Sequence, residues 1–179
     1  MQSWSSQPWP RESTAGTVCA MAKLIQATDL HFAWLLGEAS SVDGLRQAPD
    51  GVEEPRILAW LRRISARLEA AGHPSTFLIV DDGEVVGLCS FKGPPDRSGV
   101  AEIGYGIAES RRRRGYATRA VSLLCEHVCR SGAPKALKAE TSPANPASQR
   151  VLESNGFAHV GMRQDVEDGS LLVWSKTLD

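Results

Sequence analysis

Four consecutive arginines, Arg111 to Arg114, run directly into Gly115-Tyr116-Ala117 and then into a stretch with helical periodicity. A turn that leads from a strand into a helix leaves the first amides of the helix unpaired and places the positive end of its dipole beside them. Such a point suits an anion, and a pyrophosphate fits it well. Gly115 allows close backbone approach, Ala117 leaves little side chain in the way, and the guanidinium groups add charge-assisted contacts. The nucleotide loops GxxxxGK[ST] and GxGxxG do not describe this segment. Nucleic-acid binding is one competing reading of the arginines. Against it, the chain has 20 Lys and Arg and 21 Asp and Glu, a net charge of −1, and no basic face outside the run. A merely solvated run is the other, and its place at a helix start argues against that.

Other reactive side chains form no pattern. His31, His73, His127 and His159 are scattered, with no Ser/His/Asp or Cys/His arrangement. Cys19, Cys89, Cys125 and Cys129 form no CxxC pair. Cys125 and Cys129 are four apart and share a helix face, but no second ligand pair accompanies them, so no metal is expected and they read as small buried apolar residues. That usage points to a reducing, cytoplasmic compartment.

The elements that must position the arginine turn are legible. Lys23–Gln26 reads as a strand, and Thr28 or Asp29 caps a helix carrying Leu30, Trp34 and Leu35. A polar connection over 37–53 contains Asp43, Asp50 and Glu53, and a second helix runs from Pro55 toward Gly72. Residues 75–80 and 84–92 flank the turn Asp81-Asp82-Gly83 as a hairpin. Val100–Ala108 is a strand with Glu102, Gly104 and Gly106 on one side and Ile103, Tyr105 and Ile107 on the other. The helix after the arginines carries Ala117, Ala120, Val121, Leu124 and Val128 on one stripe. Residues 136–141 form a strand, Asn145-Pro146 opens a helix that Gly156 closes, and a last hairpin turns at 167–169. The expected fold class is α/β, or α+β. It has a mixed, mostly antiparallel sheet of about seven strands and four helices, in the order β α α β β β α β α β β. Trp34 and Trp60 are expected in the core.

Residues 1–21, rich in Ser, Pro and Gln, lack an apolar signal region and read as a flexible arm, with one domain over 22–179. No apolar run approaches the roughly 20 residues that span a bilayer, so no membrane partner is expected.

The segment R-x-x-G-x-A at 112–117 resembles the acetyl-CoA pyrophosphate loop of the GNAT superfamily of N-acetyltransferases. AEIGYGI at 101–107 resembles that family's fourth strand. AETSPANPASQRVLESNGF at 139–157 is similar to the fifth strand and following helix of its ribosomal-protein N-terminal acetyltransferase branch, which reads N-x-x-S-x-x-V-L-E-K-x-G-F there. The resemblance runs from about Leu24 to Leu178, with the motifs in the family's order.

It implies acetyl-CoA as cosubstrate, no metal, and a primary amine as acceptor, either a protein N-terminus or a small molecule. In this fold the fourth and fifth strands splay apart and the pantetheine arm lies between them. Backbone groups of Gly106, Ile107 and Ala108 would pair with the pantetheine, and the amides of Arg113, Arg114, Gly115, Tyr116, Ala117 and Thr118, beside Arg112, would hold the pyrophosphate. Asn145 would bond the pantetheine arm, act as a plain helix cap, or do both. Glu102 corresponds to a carboxylate that serves as base in some members; otherwise it is a solvated or salt-bridged strand residue. Many members protonate the thiolate with a tyrosine late in the last core helix, where this chain has Leu152. Ser148, one turn earlier, matches the branch serine and is the alternative donor, or else a helix-start serine. The resemblance thus implies direct transfer in a ternary complex by a monomer or homodimer. The missing tyrosine leaves a second class, a catalytically silent acyl-CoA–binding regulatory module.

Overall fold

The computed structural model describes residues 22–178, so the expected N-terminal arm and Cys19 lie outside it. The strands are β1 (Lys23–Gln26), β2 (Arg46–Gln47), β3 (Thr76–Asp81), β4 (Glu84–Phe91), β5 (Val100–Ile107), β6 (Ala136–Thr141), β7 (Ala158–Asp165) and β8 (Gly169–Thr177). The helices are α1 (Asp29–Leu35), α2 (Pro55–Ala70), α3 (Tyr116–Ser131) and α4 (Pro146–Ser154). The expected order holds, with one addition. The two-residue β2 pairs in parallel with β4, within a connection that reads only as polar in sequence.

The sheet order is β1-β3-β4-β5-β6-β8-β7, with β2 on β4. Neighbours are antiparallel except for β2–β4 and β5–β6. Two apolar layers sandwich the sheet. One side packs Phe77, Ile79 and Phe91 against Val121, Leu124 and Val128 of α3 and Leu152 of α4. The other packs Leu78, Val80 and Leu88 against Phe32 and Trp34 of α1 and Leu58 and Leu61 of α2. β3 therefore feeds alternate residues into both layers, which explains its unbroken apolar run. Each fully buried Leu or Val side chain contributes roughly 1.5–3 kcal/mol by leaving water. The α3 stripe accordingly holds that helix on the sheet.

Local chemistry sets the helix starts. Thr28 Oγ1 accepts from the His31 amide at 3.4 Å, and His31 Nδ1 accepts from the Thr28 amide at 3.0 Å, a capping box with histidine in the third position. Arg62 of α2 spans to α1, binding both oxygens of Asp29 at 2.5 and 2.6 Å. Trp34 is buried as expected, whereas Trp60 is 37% exposed on the outer side of α2. Cys89 and Cys125 are buried, but Cys129, expected inside with them, is exposed one turn beyond Cys125.

A bulge in β4 bends the sheet near its centre. Ile79 pairs with Gly87 while Val80 pairs with Val85, leaving Val86 as an extra residue. Val86 and Cys89 consequently face one layer and Val85 and Leu88 the other. A Cβ on Gly87 would lie 2.2 Å from the Gly106 carbonyl oxygen, so only glycine allows β5 to pass this close.

Candidate active site

β5 and β6 are paired only at Val100–Ala136, Ala101–Leu137 and Glu102–Lys138. β5 continues along β4 to Ile107, whereas β6 continues along β8. The two central strands thus part after Glu102 and leave a wedge at their C-terminal ends. A cleft of about 1130 Å³ opens there, walled by residues 50–55, the end of β5, the arginine turn, the start of α3 and the start of α4.

The direction of the β5 backbone follows from its hydrogen bonds. The Ala108 amide donates to Val86 O at 2.9 Å, and the Lys92 amide donates to Glu102 O at 2.9 Å. Even-numbered residues therefore exchange bonds with β4, and the amides and carbonyls of Tyr105 and Ile107 point across the wedge. The Ile107 carbonyl accepts from Arg112 Nε at 3.2 Å. Ala108 also accepts from the Arg111 amide at 2.9 Å, so both of its backbone groups are engaged. Gly106, Ile107 and Ala108 all line the cleft, but it is the Tyr105–Ile107 edge that faces the gap.

The arginine turn has the geometry of an anion site. A short 3₁₀ turn over Glu109–Arg111 follows β5. Arg113 and Gly115 then take left-handed conformations with φ of 63° and 81°. Positive φ is uncommon for arginine and ordinary for glycine. Gly115 caps α3 without a side-chain hydrogen bond, and no acidic residue occupies the first turn. The first helical bond runs from the Arg119 amide to Gly115 O. The amides from Arg113 to Thr118 have no acceptor among the described residues, which is the arrangement that receives a phosphate. A Cβ on Gly115 would meet nothing within 4 Å, so the space over the turn is open.

Its surroundings hold the turn in place. Arg111 binds Glu84 through Nε and Nη2 at 2.6 and 3.1 Å. Asp50 accepts from the amide and hydroxyl of Ser110, which hold its carboxyl below the usual range. Tyr116 is buried, and its hydroxyl donates to Asp81 Oδ2 at 2.5 Å; burial and that carboxylate push its pKa up. Tyr116 therefore anchors α3 to the end of β3 and presents its amide to the cleft. Arg112 and Arg113 line the cleft with Gly115, Tyr116, Ala117 and Thr118, whereas Arg114 lies outside the lining.

Across the wedge, Asn145 caps α4 by accepting from the Ser148 amide at 3.0 Å. Ser148 Oγ is not used in that cap. It lies 2.8 Å from the Tyr105 hydroxyl, whose single proton is also within reach of Ser148 O at 3.0 Å. Burial pushes the Tyr105 pKa up to about 12, with Ser148 partly opposing it. Asn145, Ser148 and Tyr105 all line the cleft. Glu102 does not. Its carboxylate binds Lys92 Nζ at 2.9 Å and Lys138 Nζ at 3.3 Å beside the last β5–β6 pair.

Two cleft residues carry chemistry that the sequence pattern does not assign. Tyr105 shows there only as a residue on the same side of β5 as Ile103 and Ile107. Glu53 belongs to the polar connection, yet its Oε2 stands 3.1 Å from where a Gly106 Cβ would be. Its Oε1 accepts from the Glu54 amide, and it forms no ion pair among the described residues. The signal for Glu53 was the glycine at 106, which leaves room for a neighbour on that face of β5; Tyr105 lies on the opposite face and had none. Among the described residues no His, Cys, Asp and Glu come together as a metal site. No helix there is long and apolar enough to cross a membrane.

Comparisons with known proteins agree with this geometry. Residues 45–158 match the family described as acetyltransferase (GNAT) domain. The ribosomal-protein-serine acetyltransferase of Escherichia coli (strain K12) is 30% identical over 100 residues, 56% of this chain and 56% of that protein. An uncharacterised N-acetyltransferase of Bacillus subtilis (strain 168) is 35% identical over 102 residues, 56% of this chain and 61% of that one. The chain thus matches these relatives over little more than half their length. Among solved structures, a ribosomal L7/L12 alpha-N-protein acetyltransferase in complex with coenzyme A superposes with a TM-score of 0.70. That likeness is at 21% identity and covers 91% of this chain and 97% of that one. The microcin C7 self-immunity acetyltransferase, in complex with acetyl-CoA and AMP, gives 0.67 at 18% identity, covering 89% and 94%. The family match spans β5, the arginine turn and α4, the parts that build the wedge, and the chain belongs to the GNAT acetyltransferase family.

Proposed function

We propose that this chain moves an acetyl group from acetyl-CoA to a primary amine by direct attack within a ternary complex. One observation carries the reading. The strands β5 and β6 part after Glu102 and open into a cleft whose wall also carries Arg113 and Gly115 to Thr118, with their unpaired amides. A ligand with an extended amide-bearing arm and a pyrophosphate matches both features at once. In this reading the amides and Arg112 hold the pyrophosphate. The backbone edge of Tyr105 and Ile107 pairs with the pantetheine, and Asn145 offers its side-chain amide from the other bank.

The acceptor enters along the 50–55 wall. Glu53 brings a carboxylate oxygen without an ion pair to the face of Gly106, which favours an acceptor that arrives as an ammonium. A protein or peptide α-amino group is the class that the relatives' names suggest, and a small amine is the other. The amine must lose a proton before it attacks. Glu102 takes that proton through water, since its carboxylate lies behind the lining, paired with Lys92 and Lys138. The C–S bond then breaks, and Ser148 supplies a proton to the departing sulfur.

Thiol release from acetyl-CoA, measured with peptides bearing free N-termini, lysine-type amines and polyamines, tests the proposal. Amine-dependent release that Gly115→Glu abolishes is expected. Tight acetyl-CoA binding with no release for any amine would instead make the chain a silent acyl-CoA–binding module.

A further inference from the structure

The missing tyrosine at position 152 has a counterpart on another element. Tyr105 stands three residues past the last β5–β6 pair, at the open end of the wedge. Its hydroxyl crosses from β5 to α4, 2.8 Å from Ser148 Oγ and 3.0 Å from Ser148 O. Two hydroxyl protons serve these oxygens, and the contact between Tyr105 and Ser148 Oγ can be made in two ways. In one, Tyr105 donates to the Ser148 carbonyl and the Ser148 proton turns back to Tyr105. In the other, Tyr105 donates to Ser148 Oγ and the Ser148 proton is free for the cleft. Asn145 already satisfies the Ser148 amide, so the serine hydroxyl has no duty in the helix cap that would hold it elsewhere.

We propose that Tyr105 is the positioning residue for Ser148: by donating to Ser148 Oγ it turns the serine proton toward the departing sulfur and steadies the oxygen that loses it. The inference rests on the acetyl-transfer reading above. In the step itself the C–S bond of the tetrahedral intermediate breaks and its electron pair goes to sulfur. The Ser148 proton follows onto sulfur, and the Tyr105 proton shifts toward Ser148 Oγ. One of the protons given up by the acceptor ammonium then resets the pair through water, and the other goes to bulk solvent. Burial keeps Tyr105 protonated through the neutral range, so its donor role does not lapse at working pH.

The test is a double-mutant cycle with Tyr105→Phe, Ser148→Ala and the double variant, read as kcat, KM for acetyl-CoA and thermal midpoint. Tyr105→Phe removes one oxygen and keeps the ring that fills the wedge. It is expected to lower kcat about tenfold, below the usual range for a group that transfers the proton itself because Tyr105 acts through Ser148, with KM changed less than twofold. Adding it to Ser148→Ala should cost nothing further, because residues that act as a unit are not additive. Multiplicative losses would overturn the proposal, as would unchanged kcat in Tyr105→Phe. So would a fall in thermal midpoint with kcat and KM shifting together, which would reduce Tyr105 to a strut between β5 and α4. A wild-type protein that releases no thiol with any amine would overturn the acetyl-transfer reading and this inference with it. Release by the wild type with an additive cycle would overturn only the Tyr105 role.

Discussion

Gly115 separates the stability of the turn from its capacity to bind an anion. The residue sits at φ 81° with nothing within 4 Å of where a Cβ would be. Any side chain there pays the left-handed penalty, roughly 1–2 kcal/mol, and meets no clash. For a domain of this size, about 2–4 °C of melting temperature follows each kcal/mol, so Gly115→Ala and Gly115→Glu should both melt roughly 2–8 °C lower. Their effects on acetyl-CoA should diverge. A carboxylate about 4 Å from one phosphate charge at an effective dielectric near 20 costs about 4 kcal/mol, roughly a thousandfold in affinity. Alanine adds no charge and should weaken binding about tenfold or less. Scanning calorimetry of the two variants and titration calorimetry with acetyl-CoA make the comparison. A folded Gly115→Glu protein that binds acetyl-CoA as tightly as the wild type would refute the assignment of the turn.

Three further outcomes follow from the same structure. Tyr116→Phe removes the hydrogen bond to Asp81 and should destabilise by roughly 1.5–3 kcal/mol, as for bonds to charged groups, while leaving acetyl-CoA affinity nearly unchanged; chemical denaturation and titration calorimetry check both parts. The Glu140 carboxyl, held by Arg163 and then by Lys138, is lowered from 4.5 to about 2, so its stabilisation is present above about pH 4.5 and is lost as the pH falls toward 2. Denaturation midpoints between pH 6 and 3 should fall more steeply for the wild type than for Glu140→Gln, and parallel slopes would remove Glu140 from the acid response. Glu102→Gln should lower kcat/KM by less than about tenfold at pH 7, below the usual range for a direct base because water intervenes. For an α-amino acceptor the loss should vanish near pH 9, about one unit above that group's reference pKa; superimposable pH–rate profiles would leave Glu102 as the partner of Lys92 and Lys138 alone.

What could be read in the sequence was what local chemistry dictates. The α3 stripe, the Asn145-Pro146 helix start and the glycine-punctuated turns each announce themselves within a few residues. The arginine turn did so as well, because unpaired amides at a helix start are a backbone property that composition reveals. The remainder depended on tertiary placement. Nothing in the residues of β2 distinguishes a two-residue parallel pair from a loop. Glu102, Gly104 and Gly106 do share a side of β5, but pairing of Glu102 with Lys92 and Lys138 depends on how β4 and β6 flank it. Trp60 keeps helical spacing with half-buried Ile57 and Ile64, and Cys129 with buried Cys125, yet both face outward, since periodicity marks a stripe without marking its edge. The contact between Tyr105 and Ser148 joins residues 43 apart in sequence and exists only because β5 and β6 separate.

Formation of an amide from acetyl-CoA is the defining reaction of the proposed function. Full-length protein incubated with acetyl-CoA and the acceptor that releases the most thiol should give an N-acetylated amine, seen by mass spectrometry, in one-to-one proportion with free coenzyme A. The Gly115→Glu protein should give neither product. Thiol release with no acetylated amine would mean that water, not an amine, takes the acetyl group, and would contradict the account at its centre.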